Sequence, residues 1–327
     1  MSSEILKNRL QTEFLIKPNT IADDNSRIFF VGSCFSENIF NYLKYCGLDC
    51  INNPFGTLFN PHSIAFCIEK IATEYRFTTH DFTYHNGEFH SMHHHGSYKH
   101  RDAEVLASRI NSQIETAHDF LINADIAIIT PGTAKVWQMN QPEMIVGNCH
   151  KIPGHEFTSR ILTETEILKA YKDCIYYLRL INPEIKIIFT ISPVKHLRDG
   201  MLENTISKSR LISALATLRE EHPEILYFPS YEIQTEELRD HRFYAEDLAH
   251  PTAWATEYIF RRFCETCFTS EGQQFIEDAR NWLRMKNHRI MSVDQTEIST
   301  WTTKCDEALK QFKSKHPSKT YWPADWV

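Results

Sequence analysis

Two short patterns carry side chains that could do chemistry. Gly32-Ser33-Cys34 sits between a short apolar run, residues 28–31, and an amphipathic stretch, so a hydroxyl and a thiol stand side by side where a strand hands over to a helix. A nucleophile there is presented at the carboxyl edge of a sheet, and the helix N-terminus stabilises a thiolate and offers amides to an oxyanion. The glycine lets the backbone turn without a Cβ clash. The bland alternative is a small-residue turn around a buried cysteine. Far downstream, Asp247-Leu-Ala-His250 places a carboxylate and an imidazole just ahead of Pro251, which fits the first turn of a helix. Such a loop can fold so that the carboxylate accepts a hydrogen bond from the ring, orienting it and stabilising its protonated form, as a general base requires. A capping aspartate beside a surface histidine is the competing account, and the pattern is short enough to be common by chance.

These residues need a scaffold that brings them together. Four apolar runs, 28–31, 126–129, 185–191 and 225–228, read as buried strands, and their near-continuous apolarity suits a parallel sheet covered on both faces. Helical patterns lie between and around them, near 37–45, 62–73, 103–121, 164–180 and 207–221. The alternation predicts an α/β fold with a central, mainly parallel sheet and right-handed crossovers. Sites in such sheets form at the carboxyl ends of strands. The chain places Gly32-Ser33-Cys34, Thr130-Pro-Gly-Thr-Ala-Lys-Val-Trp137, Ser192-Pro-Val-Lys-His196 and Pro229-Ser-Tyr231 there. Residues 75–100 lack periodicity and read as an excursion over the sheet's edge. Two polar-rich helices, near 271–286 and 296–313, and an aromatic end form a C-terminal appendage packed on the body or on another subunit. The expected division is 1–268 and 269–327.

Composition narrows the classes. The 327 residues, 42% of them apolar, suffice for one large domain with an ample core. The net charge of -7 provides no basic surplus to replace phosphate counterions, which argues against a nucleic-acid partner. No apolar run is long enough to span a membrane, and the mixed, charged first residues show no leader-like apolar core. Nine scattered cysteines suit reduced thiols in a cytoplasm.

The two patterns together resemble the SGNH, or GDSL-like, hydrolases, which carry Gly-Asp-Ser after the first strand and Asp-x-x-His near the end of the fold. More specifically, "FFVGSCFSENI" is similar to the opening motif of the GSCFA-domain branch. The similarity continues through "NPFGTLFNPHSIA", "TPGTAKVW", "ISPVKHLRDGMLENTISKSRLI" and "YFPSYEI…ELRDHRFYAEDLAHP". It covers the chain to about Phe268. It implies a three-layer α/β/α fold of SGNH, flavodoxin-like type, ester hydrolysis or acyl transfer, a small-molecule or glycan acyl ester as partner, and no cofactor. In one register Cys34 takes the nucleophile's place; in the other Ser33 does. The resemblance aligns Gly56 with an oxyanion glycine. Where the parent pattern has Gly-x-Asn, this chain has Gly132-Thr133-Ala134, so one amide donor is missing; Thr133, Trp137 or His196 is then the substitute. The fold could also persist as a ligand-binding protein without turnover.

Other patterns have plainer accounts. His93-His-His95 lacks metal-site spacing, and the resemblance assigns the segment a pocket-lining role, with His95 near the site. Cys264 and Cys267 fall on a helical stripe and read as core. Arg198, Asn204 and Lys208 are candidates for binding an anionic group.

Overall fold

The computed structural model describes residues 15–288 and 294–326. Most of the leading stretch read above for a leader lies outside those residues. The chain runs β1 (Arg27–Gly32), α1 (Cys34–Tyr45), β2 (Asp49–Asn52), α2 (Pro61–Ala72), β3 (Thr83–His85), β4 (Glu88–His90), β5 (Lys99–His100) and α3 (Ala103–Ile122). It continues β6 (Ile126–Thr130), β7 (Lys135–Met139), β8 (Met144–Val146), β9 (Phe157–Ile161), α4 (Glu164–Ile181), β10 (Lys186–Phe189), α5 (Met201–Glu221) and β11 (Leu226–Tyr227). After a short helical turn, α6 (Ala253–Cys267), α7 (Ser270–Lys286) and α8 (Gln295–Lys315) complete it.

The central sheet has the order β11-β10-β6-β1-β2, and every pairing is parallel. The chain moves from β1 to β2 on one side, then returns to β6 on the other. That reversal creates a switch point between the carboxyl ends of β1 and β6, where Gly32 pairs with Thr130. In open α/β sheets this is where ligands bind.

Strand alternation builds two cores. Phe29 and Val31 join Ala127, Ile129, Ile187 and Phe189 on one face, under Ile64 and Ile68 of α2, Ile110 of α3, Tyr171 of α4 and Leu215 of α5. Ile28, Phe30, Ile128 and Ile188 lie on the other, with Phe35 and Ile39 of α1, Ile259 and Phe263 of α6, and Phe275 and Trp282 of α7. Each large apolar side chain so buried contributes about 1.5–3 kcal/mol. Phe312 of α8 and Trp326 belong to that second core as well, so the C-terminal helices rest on the sheet-covering layer of their own chain. Cys264 and Cys267 are also buried there.

Local signals fix the helix starts. Asn60 caps α2 by accepting from Ser63 N at 2.8 Å, with Pro61 at the first helical position. Thr163 and Glu166 form a capping box at α4, and the Arg160 guanidinium holds the Glu166 carboxyl down to about 2.

Four features differ from the sequence expectation. β2 is a fifth strand; its Asp-Cys-Ile-Asn has a single fully buried residue, Cys50, and no apolar run. The 75–100 excursion contains a three-stranded antiparallel sheet, β3-β4-β5. Lys135–Met139, read as loop, is the middle strand of another, β8-β7-β9. Finally, α5 starts at Met201 rather than near 207, because its first inward residues, Asn204, Ser207 and Lys208, are polar and leave no apolar stripe to read.

Two histidines of the excursion, and His150 beside them, are packing residues. His94 is fully buried, its ring stacked on Phe55 at 3.9 Å and its Nδ1 sharing a 2.6 Å hydrogen bond with Ser91 Oγ. His93 stacks on Phe66, and His150 Nε2 hydrogen-bonds the Ser91 carbonyl at 2.8 Å. Among the described residues no group of three His, Cys, Asp or Glu side chains could hold a metal ion. Burial pushes His93 and His150 down to about 4, and holds His94 well below the ordinary imidazole range. A depressed histidine stabilises the fold fully above its unfolded value of about 6.5 and loses that contribution as pH falls toward the folded value. At pH 5 the loss for a drop of this size is roughly 2 kcal/mol per ring. The urea midpoint should therefore fall steeply between pH 7 and pH 5, and less so in His150→Gln. A flat midpoint across that window would contradict neutral burial.

Candidate active site

The Gly32 turn is built by close approach. Gly32 has φ +138, and a Cβ there would lie 2.3 Å from the Thr130 carbonyl oxygen. Ser33 N donates to that same oxygen at 2.9 Å. The Gly32 amide donates to Asn53 Oδ1 at 2.7 Å, and its carbonyl accepts from Leu58 N. The 53–58 loop is thereby fastened beside the turn.

Ser33 is the N-cap of α1, 1% exposed, with its hydroxyl accepting from Phe35 N. Cys34 is the first helical residue and is only partly buried. Burial pushes its thiol up; its own amide, the Lys208 cation and the Phe35 amide oppose that, and Glu37 adds to it.

The Asp247–His250 loop is a self-contained turn. Asp247 Oδ1 accepts from Ala249 N and His250 N at 2.9 and 3.0 Å. Its Oδ2 lies 2.6 Å from His250 Nδ1. These bonds, the His250 amide first, hold the carboxyl well below the usual carboxylate range. With the proton on Nδ1 facing the carboxylate, Nε2 is the basic nitrogen. Leu248 bends the turn at φ 55. Pro251 pairs with Tyr244 ahead of the helix, and Thr252, not the proline's own turn, caps α6. Lys195 N donates to Ala249 O at 3.1 Å, joining this loop to the segment after β10. Neither Ser33 nor Cys34 is hydrogen-bonded to His250 among the described residues.

The third wall differs from the sequence expectation. Gly132 N and Thr133 N both donate to Phe59 O, at 2.7 and 3.0 Å. Thr133 Oγ1 is 3.0 Å from Ser207 Oγ and accepts from Lys135 N, while Gly56 N donates to Asn53 O. These groups, expected to face an oxyanion, are engaged in holding the loops. Trp137, on β7, is 41% exposed beneath the Lys135 ammonium. His95 bonds Ser97 and presses its Cβ to within 2.4 Å of where a Gly56 Cβ would be. His196 and Ser33 both border Gly132: a Cβ there would be 3.1 Å from His196 Nε2 and 3.3 Å from Ser33 Cβ. The His196 ring also meets Phe59 edge-on at 5.5 Å.

One polar face of α5 secures these loops. Asn204 Oδ1 accepts from His196 N at 2.9 Å, Ser207 Oγ accepts from Ala134 N at 2.7 Å, and Lys208 Nζ donates to Ser192 O at 2.5 Å. All three are buried, so Asn204 and Lys208 hold backbone rather than presenting themselves to an anion in solvent. Ser207 was not singled out from sequence; polar residues at helical spacing were its only signal.

Comparison with known proteins now adds identity. Residues 27–263 match the GSCFA family, and the chain belongs to it. No curated protein matches. Among solved structures, the chain is similar to a carbohydrate esterase family 3 protein from Talaromyces cellulolyticus, at 8% identity and TM-score 0.38, over 78% of this chain and 99% of that one. It is also similar to an acetyl xylan esterase from the rumen bacterium Butyrivibrio proteoclasticus, at 12% identity and TM-score 0.39, over 81% of this chain and 66% of that one. Both likenesses are too distant to add to what the sheet order and the family already establish. No helix among the described residues is long and apolar enough to cross a membrane.

Close approach at Gly56 yields a measurable contrast. Gly56 has φ +73 with His95 in the way, whereas Gly87 has φ +82 and nothing within 4 Å. Positive φ alone costs an alanine about 1–3 kcal/mol. Gly56→Ala should lose at least about 2 kcal/mol more than Gly87→Ala in denaturant titrations. Equal losses would mean that the His95 contact does not constrain the loop.

Proposed function

We propose that the chain is an acyl-ester hydrolase or acyltransferase in which Cys34 is the nucleophile, His250 the general base and Asp247 its orienting carboxylate. The observation that carries this reading is the 2.6 Å Asp247–His250 bond, in a loop tied to the strand end next to the switch point that presents Cys34. Cys34 is favoured over Ser33 because the serine hydroxyl is buried and engaged as a helix cap.

His250 Nε2 takes the thiol proton, and Sγ attacks the acyl carbon, moving the carbonyl π pair onto oxygen. The Cys34 amide at the start of α1 meets the charge that develops, and His196 supplies the donor that the missing asparagine leaves absent. Collapse expels the alcohol, which takes its proton from the His250 imidazolium. Water, or a second acceptor hydroxyl, then attacks the thioester with His250 again as base, returning the free thiol. An acylated carbohydrate is the substrate class that the SGNH lineage suggests.

A binding protein without turnover is the second reading, favoured by the engaged Gly56, Gly132 and Thr133 groups. Hydrolysis of p-nitrophenyl acetate and of a peracetylated sugar separates the two. Cys34→Ala should lose on the order of 10³-fold or more, His250→Ala about 10²–10⁴-fold, and His196→Ala about 10²–10³-fold. Ser33→Ala should stay within about tenfold of wild type while losing about 1 kcal/mol of stability. Loss in Ser33→Ala with turnover kept in Cys34→Ala would move the nucleophile to the serine. No acyl-enzyme and no turnover in wild type would favour the binding reading.

A further inference from the structure

The segment that leaves β10 carries two adjacent residues with different contacts. His196 borders Gly132, with its amide held by Asn204 Oδ1 at 2.9 Å. Lys195 meets the Asp247–His250 turn instead. Its amide donates to Ala249 O at 3.1 Å, and its Nζ lies 3.8 Å from the centroid of the Tyr244 ring. Tyr244 is part of the same folded unit. It pairs with Pro251, and the next residue, Ala245, donates its amide to His250 O at 2.8 Å. Ala249 precedes His250 and Pro251 follows it, so the two contacts of Lys195 bracket the imidazole along the chain.

The second contact calls for a cation. Lys195 makes no ion pair among the described residues, and the face of a ring is what its ammonium meets. Both side chains are half-buried. A ring's quadrupole attracts a cation over its face, more strongly as water is excluded. The Ala249 hydrogen bond alone would fix one point and leave the turn free to pivot about it. A cation seated on the Tyr244 ring supplies a second point. Small misplacements of a reacting group are costly in rate, so a two-point hold on a general base has a use that an isolated surface contact lacks.

We propose that Lys195 is a positioning residue for His250: its ammonium on the Tyr244 ring and its amide on Ala249 together hold the base's turn at a fixed place relative to His196. This inference rests on the reading of His250 as general base, but one arm of its test needs no turnover.

That arm is hydrogen exchange at the amide of residue 195, whose protection depends on the docked Ala249 carbonyl. Rates are corrected for the intrinsic effect of each side chain. Lys195→Met keeps the stem and removes the cation; Tyr244→Leu keeps bulk and removes the ring. Each should lower protection about three- to tenfold. The double variant should be no worse than the poorer single, because both remove one contact. Lys195→Arg and Tyr244→Phe should restore protection, since a guanidinium also seats on a ring and the phenol hydroxyl has no part. Unchanged protection in a folded Lys195→Met or Tyr244→Leu overturns the proposal, and so does a double variant in which the two losses multiply. If one single variant does not fold, the other decides it.

The second arm is p-nitrophenyl acetate turnover in the same proteins. kcat should fall by the same factor as protection with KM within about twofold, and the two conservative variants should restore it. Lost protection with kcat unchanged in an active enzyme overturns the positioning role. Absence of turnover in wild type, with the exchange pattern as expected, refutes the acyl-transfer reading and leaves the hold on the turn standing.

Discussion

No side chain can exist at residue 32. β1 and β6 run so close at their carboxyl ends that a Cβ on Gly32 would overlap the Thr130 carbonyl, and the φ of +138 is open to little but glycine. That single close approach decides where the rest goes. It turns the chain out of the sheet in one residue, so the next amide can bond back to Thr130 and the one after can open a helix. The same residue receives Asn53 and Leu58 from the loop after β2. Two parallel strands, one helix and one loop therefore converge on a position that has no side chain of its own, and Cys34 is placed by backbone geometry rather than by packing of its own side chain.

The loops that surround it are anchored in part by apolar side chains, Phe55, Leu58, Ala134 and Ile191, that reach the core. Two of them are pinned as well by buried polar groups of α5: Ser207 holds Thr133 and Ala134, and Asn204 and Lys208 hold His196 and Ser192 of the segment after β10. A buried polar group left without a partner costs about 1–3 kcal/mol, so these pairings specify the loop positions more sharply than apolar contacts would. The same economy explains why Gly56, Gly132 and Thr133 donate within the scaffold. Their hydrogen bonds fix the shape of the wall.

This division of labour also decides what the sequence could reveal. The runs 28–31, 126–129 and 185–191 were legible because strands covered on both faces must be apolar throughout, and the Ser33–Cys34 and Asp247–His250 patterns were legible as local motifs. β2 was not, since an edge strand with one fully buried residue carries no pattern. Neither was the start of α5, since a helix that turns Asn204, Ser207 and Lys208 inward presents polar residues where periodicity expects apolar ones. The failure of the apolar rule at that helix marks its proximity to the site. Oxyanion donors could not be assigned from spacing either: whether an amide at Gly56 or Thr133 faces a cavity or a carbonyl depends on contacts with Asn53 and Phe59, which only the folded loops create.

The Asp247–His250 turn stands apart from this rigid frame. Its bonds are almost all internal: two amides and one ring nitrogen onto one carboxylate, with Leu248 bent to positive φ to allow it. Both side chains are about half exposed, at 52% and 50%. An exposed ion pair adds little to stability, and a non-glycine residue at positive φ detracts from it, so the fold gains little by keeping this arrangement. What the arrangement secures is the orientation and tautomer of one imidazole. Because that orientation is set locally, it survives movement of the turn as a unit. Lys195 links it to the strand row, its amide donating to Ala249 O and its ammonium lying over the Tyr244 ring. On the proposed chemistry, then, the nucleophile is fixed by the sheet and the base is oriented within its own turn.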